Sequence, residues 1–375
     1  MIPLVGPTRR RQTLRHRLLR LAERATTPLL PADYLDLFHP LRPGADLRGR
    51  IIAIQPETAD AATIVIQPGA DWAGHVPGQY VRIGVDVDGV RQWRAYSLTH
   101  GPRADGHISV TVKAVPDGLV SSHLVRAARP GTLIHLEQAA GEFMLPTDGG
   151  RFLFVTAGSG ITPVIGMLRN LFPVTDSGVV RLVRSAGYDI VVVHLAPSEP
   201  DSIFSAHLRE LDAAGAIRLV AHYTDVHGSL DVDDLDELVP DLAERGTLAC
   251  GPAGLLEALR RHHDRRNLTL RTEQFRAPRV AVGEGGTVTF GRSGTEVVAD
   301  GATPILDAAE SAGVLMPSGC RMGICYGCVL PLSSGSVRDL RTGEITTATP
   351  GETAGRGVPV QTCISAAAGT CELDH

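Results

Sequence analysis

Hydrophobic and polar positions change their rhythm twice along this chain. From Leu47 to about Leu145 the apolar residues come in short alternating runs: Arg50-Ile-Ile-Ala-Ile-Gln, Thr63-Ile-Val-Ile-Gln, Tyr80-Val-Arg-Ile-Gly-Val, Ile108-Ser-Val-Thr-Val-Lys and Thr132-Leu-Ile-His-Leu. Gly, Pro and Asp turns separate them, a pattern that predicts a small antiparallel β-barrel. Near Arg151 the pattern becomes buried strand followed by helix. Phe152-Leu-Phe-Val-Thr leads through Ala157-Gly-Ser-Gly-Ile-Thr-Pro163 into a helix over Val164 to Leu171, and Ile190-Val-Val-Val-His, Ile217-Arg-Leu-Val-Ala and Thr247-Leu-Ala-Cys are further strands. Such alternation predicts a parallel sheet with helices on both faces. A Pro/Gly-containing connector, Arg276 to Gly286, leads to a cysteine-bearing third domain. The expected divisions are 1–45, 46–147, 148–277 and 284–375.

Residues 1–45 stand apart. Arg9, Arg10, Arg11, Arg15, Arg17, Arg20 and Arg24 accompany Leu14, Leu18, Leu19 and Leu21 at roughly helical spacing, which predicts a basic amphipathic helix. No apolar core follows the charges, so it does not read as a signal peptide. Two readings stay open: a helix packed on the next domain, or one that meets a partner or the anionic cytoplasmic membrane face through residues 1–24.

Composition narrows the class without naming a function. With 375 residues, 43% of them apolar and 21% charged, the chain has the make-up of a soluble globular protein of two or three domains. No run of about 18 apolar residues exists to span a bilayer. A formal charge of -5 argues against general nucleic-acid binding. The expected setting is cytoplasmic. Lys113, the only lysine, lies on a predicted strand of the barrel.

The chemistry is concentrated in the cysteines. Cys320, Cys325 and Cys328 are spaced C-x4-C-x2-C, and Cys363 follows much later. That is the plant-type [2Fe-2S] pattern. Gly319, Gly323 and Gly327 suit a backbone folded tightly around sulfur. Structural zinc is the competing reading, but it usually draws its thiolates from two close pairs. Cys371 reads as a small packed thiol.

In the barrel, Arg94-Ala-Tyr96-Ser97 offers a cation for a diphosphate, a ring to stack on a flat cofactor and a hydroxyl for a ring nitrogen. Gly118-Leu-Val120-Ser121-Ser122 precedes a helix-like segment and offers amides and hydroxyls to phosphate. Gly158-Ser-Gly160 at a strand-to-helix turn and Cys250-Gly251-Pro252 at a later strand end sit where open α/β sheets place ligands. His262-His263-Asp264 reads as a solvated helix face rather than a metal site.

In this order the motifs resemble the ferredoxin-NADP reductase superfamily. With the appended cluster domain, residues 47–375 resemble phthalate- and benzoate-dioxygenase-type reductases. More narrowly, Thr26-Thr-Pro-Leu-Leu-Pro-Ala-Asp-Tyr-Leu, Cys320-Arg-Met-Gly-Ile-Cys325 and Val337-Arg-Asp-Leu-Arg-Thr-Gly343 are similar to the NADPH oxidoreductases that feed membrane acyl-CoA (stearoyl-CoA) desaturases. The resemblance implies a FAD-binding β-barrel, a NAD(P)-binding α/β domain and an α+β β-grasp ferredoxin domain. It implies electron flow from NAD(P)H through FAD and a [2Fe-2S] cluster to a partner oxygenase. The favoured partner is a membrane di-iron desaturase. A Rieske-type or alkane/steroid hydroxylase is the alternative, and a non-enzymatic iron-sulfur sensor the remote one.

By residue, the resemblance assigns Arg94, Tyr96, Ser97, Lys113, Gly118, Val120 and Ser121 to the flavin. Gly158, Gly160, Thr162, Cys250, Gly251 and Pro252 go to the nicotinamide nucleotide, with Ser97, Thr162 and Cys250 at the reacting atoms. Glu273 and Phe275 fall near the flavin's other edge, and the four cysteines hold the cluster. Where NADPH-selective relatives commonly carry Gly-Arg, this chain has Gly228-Ser229, so the choice of coenzyme is open; Ser198 is a candidate substitute.

Overall fold

The computed structural model describes residues 31–87, 90–116, 118–173, 187–275, 283–319, 321, 323, 326–350 and 357–375. The predicted basic helix over residues 1–24 lies outside them, as do Cys320 and Cys325.

Helix α1 (Pro31–Phe38) precedes the barrel. The barrel is built from β1 (Arg48–Pro56), β2 (Ala61–Pro68), β3 (Tyr80–Val87), β4 (Val90–Ser97), β5 (Ile108–Lys113) and β6 (Leu133–Leu136), in the order β4-β3-β6-β1-β2-β5. Every pairing is antiparallel. Ile51, Ile64, Ile66, Val81, Ile83, Val110 and Val112 point inward and fill the core, as period-two alternation requires. The edges meet where Leu98 bridges Val110 and Thr99 N donates to Ser109 O at 2.9 Å. This closure pulls the end of β4, and with it Ser97, toward β5. A short helix, α2 (Leu119–Ser122), follows β5.

The second unit comprises β7 (Gly150–Ala157), α3 (Ile161–Leu171), β8 (Tyr188–Ala196), α4 (Ser205–Ala213), β9 (Arg218–Tyr223), α5 (Thr224–His227), α6 (Leu235–Leu238), β10 (Gly246–Cys250), α7 (Ala253–Arg266) and β11 (Leu270–Glu273). Its sheet, β11-β10-β7-β8-β9, is wholly parallel. One face packs Phe154, Ile190, Val192 and Leu248 against α3 and α4, and Phe143 of the barrel segment joins that core. The other face packs Leu153, Val155, Val191 and Val193 against Leu256 and Leu259 of α7. Helix α3 begins at Ile161, earlier than the predicted Val164, because Pro163 falls in the first turn, where its missing N–H costs nothing.

One expectation is overturned in α7. His262 and His263 are 1% and 0% exposed rather than solvated. Leu256, Leu259 and His263 fall at i, i+3 and i+7, so His263 lies on the stripe facing the sheet. Its Nδ1 pairs with Leu259 O at 2.9 Å and its Nε2 with Thr247 Oγ1 at 3.0 Å. His262 lies 3.7 Å from Asp236 and 3.9 Å from Asp233.

The third unit holds β12 (Gly283–Phe290), β13 (Thr295–Gly301), α8 (Ile305–Ser311), β14 (Val329–Asp339), β15 (Ile345–Ala348), β16 (Val358–Gln361) and β17 (Ser365–Leu373). The order is β13-β12-β17-β14-β15, with β16 also on β14. Its outermost segments in sequence, β12 and β17, run parallel in the centre, and Ile305 and Ala309 of α8 pack on the sheet. This is the α+β arrangement expected. Cys371 is a buried thiol of β17, packed with Val288 and Leu332, as its sequence setting predicts.

Candidate active site

The parallel sheet starts at β7, grows outward through β8 and β9, then returns to the other side of β7 with β10 and β11. The reversal leaves a crevice at the carboxyl ends of β7 and β10, the usual ligand position in open α/β sheets. Gly158 to Gly160 and Cys250 to Pro252 lie there. A Cβ on Gly160 would stand 2.0 Å from Cys250 O, and one on Gly251 would stand 3.1 Å from Ala157 Cβ. Glycine at 160 is therefore what lets the two turns meet. Gly158 takes φ 53°, left-handed backbone that glycine adopts without penalty. Thr162 is buried, its hydroxyl donating to Ser159 O at 2.9 Å, so it braces the turn.

Register builds a polar row across the strand ends. Cys250 pairs with Thr156 on one side and Glu273 on the other, and Thr156 pairs with His194. Cys250 is fully buried; burial and the neighbouring Glu273 carboxyl push its thiol well above the ordinary range. Burial pushes Glu273 up to about 7, and its Oε2 is buried with no hydrogen-bond partner among the described residues. His194 Nδ1 pairs with Thr156 Oγ1 at 2.8 Å, and burial lowers this imidazole to about 4. The sequence carried no signal for Thr156 or His194, since only strand register aligns them with Cys250.

The crevice opens toward the barrel. Gly158–Gly160 lies against β5, and Gly166 of α3 presses so close to Leu98 that a Cβ there would stand 2.3 Å from Leu98 O. Ser97, one residue away, is 3% exposed, and its Oγ has no partner among the described residues. An orphaned buried hydroxyl at this junction fits a polar ring edge. Tyr96 is half-buried against the barrel core, and desolvation raises its phenol. Arg94 donates to Trp93 O at 2.8 Å and makes no salt bridge among the described residues, so it keeps donors for a diphosphate.

Two flavin candidates differ in kind from their expected roles. Val120 is 1% exposed within the barrel core, so it offers only its backbone. The Ser121 hydroxyl is committed to its own turn, donating to Gly118 O at 3.2 Å and accepting from Val115 N at 3.3 Å. Gly118 is required there, because its Cβ would stand 2.4 Å from Ser121 Oγ. Lys113 pairs with Asp60 at 3.2 Å. Phe275 is partly exposed beyond β11. Ser229 is exposed after Gly228, whose carbonyl pairs with His222 Nε2 at 2.9 Å, while the His222 and His227 rings lie 5.3 Å apart. Ser198 donates to Asp201 at 2.6 Å.

At the cluster loop, Cys328 and Cys363 are buried with Leu306 and Ile364. The neighbouring Cys363 thiol, by hydrogen bonding, is the main influence holding Cys328 down to about 6. Two adjacent thiols in an apolar pocket, one acidified, suit a metal-bound thiolate pair. Gln361 donates to Gly323 O at 3.0 Å, tying the loop to β16.

A FAD-dependent reductase with its own iron-sulfur carrier is the class that these three units define. The oxidoreductase FAD-binding domain family matches residues 58–145, and the 2Fe-2S iron-sulfur cluster binding domain family matches residues 288–368. The chain is 46% identical to an NADPH oxidoreductase of Mycobacterium tuberculosis over 96% of its own length and 92% of that protein's. It is 30% identical to the ferredoxin reductase component of 3-ketosteroid-9-alpha-monooxygenase from Mycolicibacterium smegmatis, over 77% and 86% of the two chains. Phthalate dioxygenase reductase shares the fold, with TM-score 0.61 at 21% identity over 88% of this chain and 98% of the other. This chain belongs to the family of NAD(P)H oxidoreductases in which a FAD-binding domain of the ferredoxin-reductase type carries a C-terminal [2Fe-2S] domain. NAD(P)H, FAD and the cluster are its redox groups.

Proposed function

We propose that this reductase delivers electrons to a separate monooxygenase of the Rieske-type or alkane/steroid-hydroxylating kind. When bound, FAD accepts the hydride of NAD(P)H and passes its electrons singly to the cluster. The observation that carries the site assignment is the switch-point crevice, where Cys250 and Gly160 touch and which opens on the orphaned Ser97 hydroxyl. In this reading Gly158, Gly160, Gly251 and Pro252 supply the close backbone approach for the nucleotide. Thr162 braces the turn, and Cys250 walls the nicotinamide from water. Ser97 hydrogen-bonds the flavin ring, Tyr96 stacks on it, Arg94 holds its diphosphate, and Glu273 and Phe275 border its far edge. Cys320, Cys325, Cys328 and Cys363 hold the cluster.

The partner reading rests on relatives. Besides the steroid monooxygenase component, a glycine betaine monooxygenase reductase subunit of Pseudomonas aeruginosa is 27% identical over 72% of this chain. None of the relatives described is named for a desaturase, so the expectation of a membrane acyl-CoA desaturase has no support from them. The Mycobacterium tuberculosis relative's name supports NADPH as donor.

Reconstitution decides the partner. The holoprotein, NADPH and either a purified Rieske-type steroid hydroxylase or a membrane desaturase in vesicles are assayed for product. Coupled hydroxylation with no desaturation is expected; desaturation alone would overturn the reading.

A further inference from the structure

The guanidinium of Arg321, the residue after Cys320, is bound by two domains. It reaches Asp307 Oδ1 at 2.8 Å and both oxygens of Glu310 at 2.5 and 2.6 Å, all on α8 of the ferredoxin-like unit. It also donates to Gln92 Oε1 at 2.9 Å, on strand β4 of the barrel. Arg321 takes φ 57°, a left-handed conformation unusual for a residue with a side chain. Gln92 is 6% exposed, so its amide has been taken out of water and depends on this partner.

Three features make the contact more than a surface encounter. The acids of α8 already neutralise Arg321, so the Gln92 bond adds nothing to charge balance and serves to join the units. Gln92, Arg94 and Tyr96 alternate onto the same face of β4, so the bond grips the strand proposed to carry the flavin. Arg321 also lies near enough to Arg94 to lower its pKa, second to burial itself. Asp307 and Glu310, paired with Arg321, offset the repulsion between the two guanidinium groups.

We propose that the Gln92–Arg321 hydrogen bond is an interdomain latch that seats the cluster loop on the flavin-binding strand and so sets the separation across which electrons cross between domains. NAD(P)H supplies two electrons and one proton as hydride. Each crossing oxidises reduced flavin by one electron and reduces the cluster by one, and one proton per NAD(P)H leaves to solvent. Transfer of this kind depends steeply on placement, so loosening the latch slows the crossing without touching the hydride step.

The test uses full-length holoprotein and no oxygenase, so it stands or falls separately from the partner reading. Gln92→Leu keeps the side chain's bulk and removes the acceptor; Gln92→Glu keeps the acceptor oxygen. In Gln92→Leu, amide hydrogen exchange at both β4 and α8 is expected to rise about tenfold or more. The maximum dimension from small-angle scattering should increase. In stopped-flow, cluster reduction should slow at least about fivefold while flavin reduction stays within about twofold. Gln92→Glu should restore all three. Exchange, scattering and cluster reduction unchanged in Gln92→Leu would overturn the proposal, as would faster exchange confined to β4. If Gln92→Leu fails to fold, Arg321→Lys retains the charge facing Asp307 and Glu310 but loses the fork; unchanged cluster reduction and exchange there would equally overturn it.

Discussion

Cys250 and Glu273 carry the site's unusual energetics. Burial disfavours the charged form of each, pushing the thiol well above its ordinary range and the carboxyl up to about 7. If Cys250 walls the nicotinamide as proposed, its neutral thiol works by shape and dryness, so Cys250→Ala should slow flavin reduction about 10- to 100-fold while leaving the cluster's visible spectrum intact. Stopped-flow at the flavin absorption band is the check. An unchanged rate would take Cys250 out of the site. For Glu273 the sign follows from linkage. Its folded pKa is raised from 4.5 to about 7, so between those values the folded chain binds more protons than the unfolded chain. Stability from this group is therefore full below the lower value, falls as pH rises across the window, and is level above it. Glu273→Gln should flatten that fall, by on the order of 2 kcal/mol once partial solvation is discounted, in urea titrations compared across the window.

At the scale of elements, the active crevice depends on how tightly two turns approach. Gly160→Ala keeps an ordinary helical φ of -61° but drives a methyl to within 2.0 Å of Cys250 O. The backbones must part, at a cost of about 1–3 kcal/mol, and the gap opens beside the proposed nicotinamide site. Thermal unfolding should register the loss, and KM for NAD(P)H should rise with it. A variant of parental stability and KM would mean that the turns yield freely. The same logic explains β4. Arg91, Gln92 and Arg94 interrupt its apolar pattern, so only its end at Arg94 to Ser97 reads as strand in sequence, yet pairing with β3 from Tyr80↔Ser97 to Val87↔Val90 makes the whole of it a barrel strand.

For the whole molecule, the separate cores of the barrel, the parallel sheet and the ferredoxin-like unit predict modular failure. Cys363→Ser removes one thiolate beside Cys328 and should abolish or destabilise the cluster. NAD(P)H-to-ferricyanide activity, which needs only the first two units, should stay within about twofold of the parent. Iron content and electron paramagnetic resonance measure the first outcome, and steady-state assays the second. Loss of FAD along with iron would contradict the modular organisation. Among the described residues no helix is long and apolar enough to cross a membrane.

What was legible in the sequence is what depends on neighbours along the chain. The C-x4-C-x2-C spacing, the period-two runs of the barrel, the strand-turn-helix at Ala157 to Pro163 and the packed Cys371 are all set by local geometry and local burial. Much of the site assignment, Glu273 included, came from likeness to a family. Tertiary structure decided the rest. Glu273 meets Cys250 because β11 adds beside β10 in parallel register. His262 and His263 are buried because a polar helix turned one stripe toward a sheet that its own sequence does not contain. Arg321 meets Gln92 across 229 residues of chain, a distance over which no periodicity or spacing carries information. Local sequence sets which backbone conformations are cheap; which buried charges and amides find one another is set by the packing of domains, a property of the folded whole.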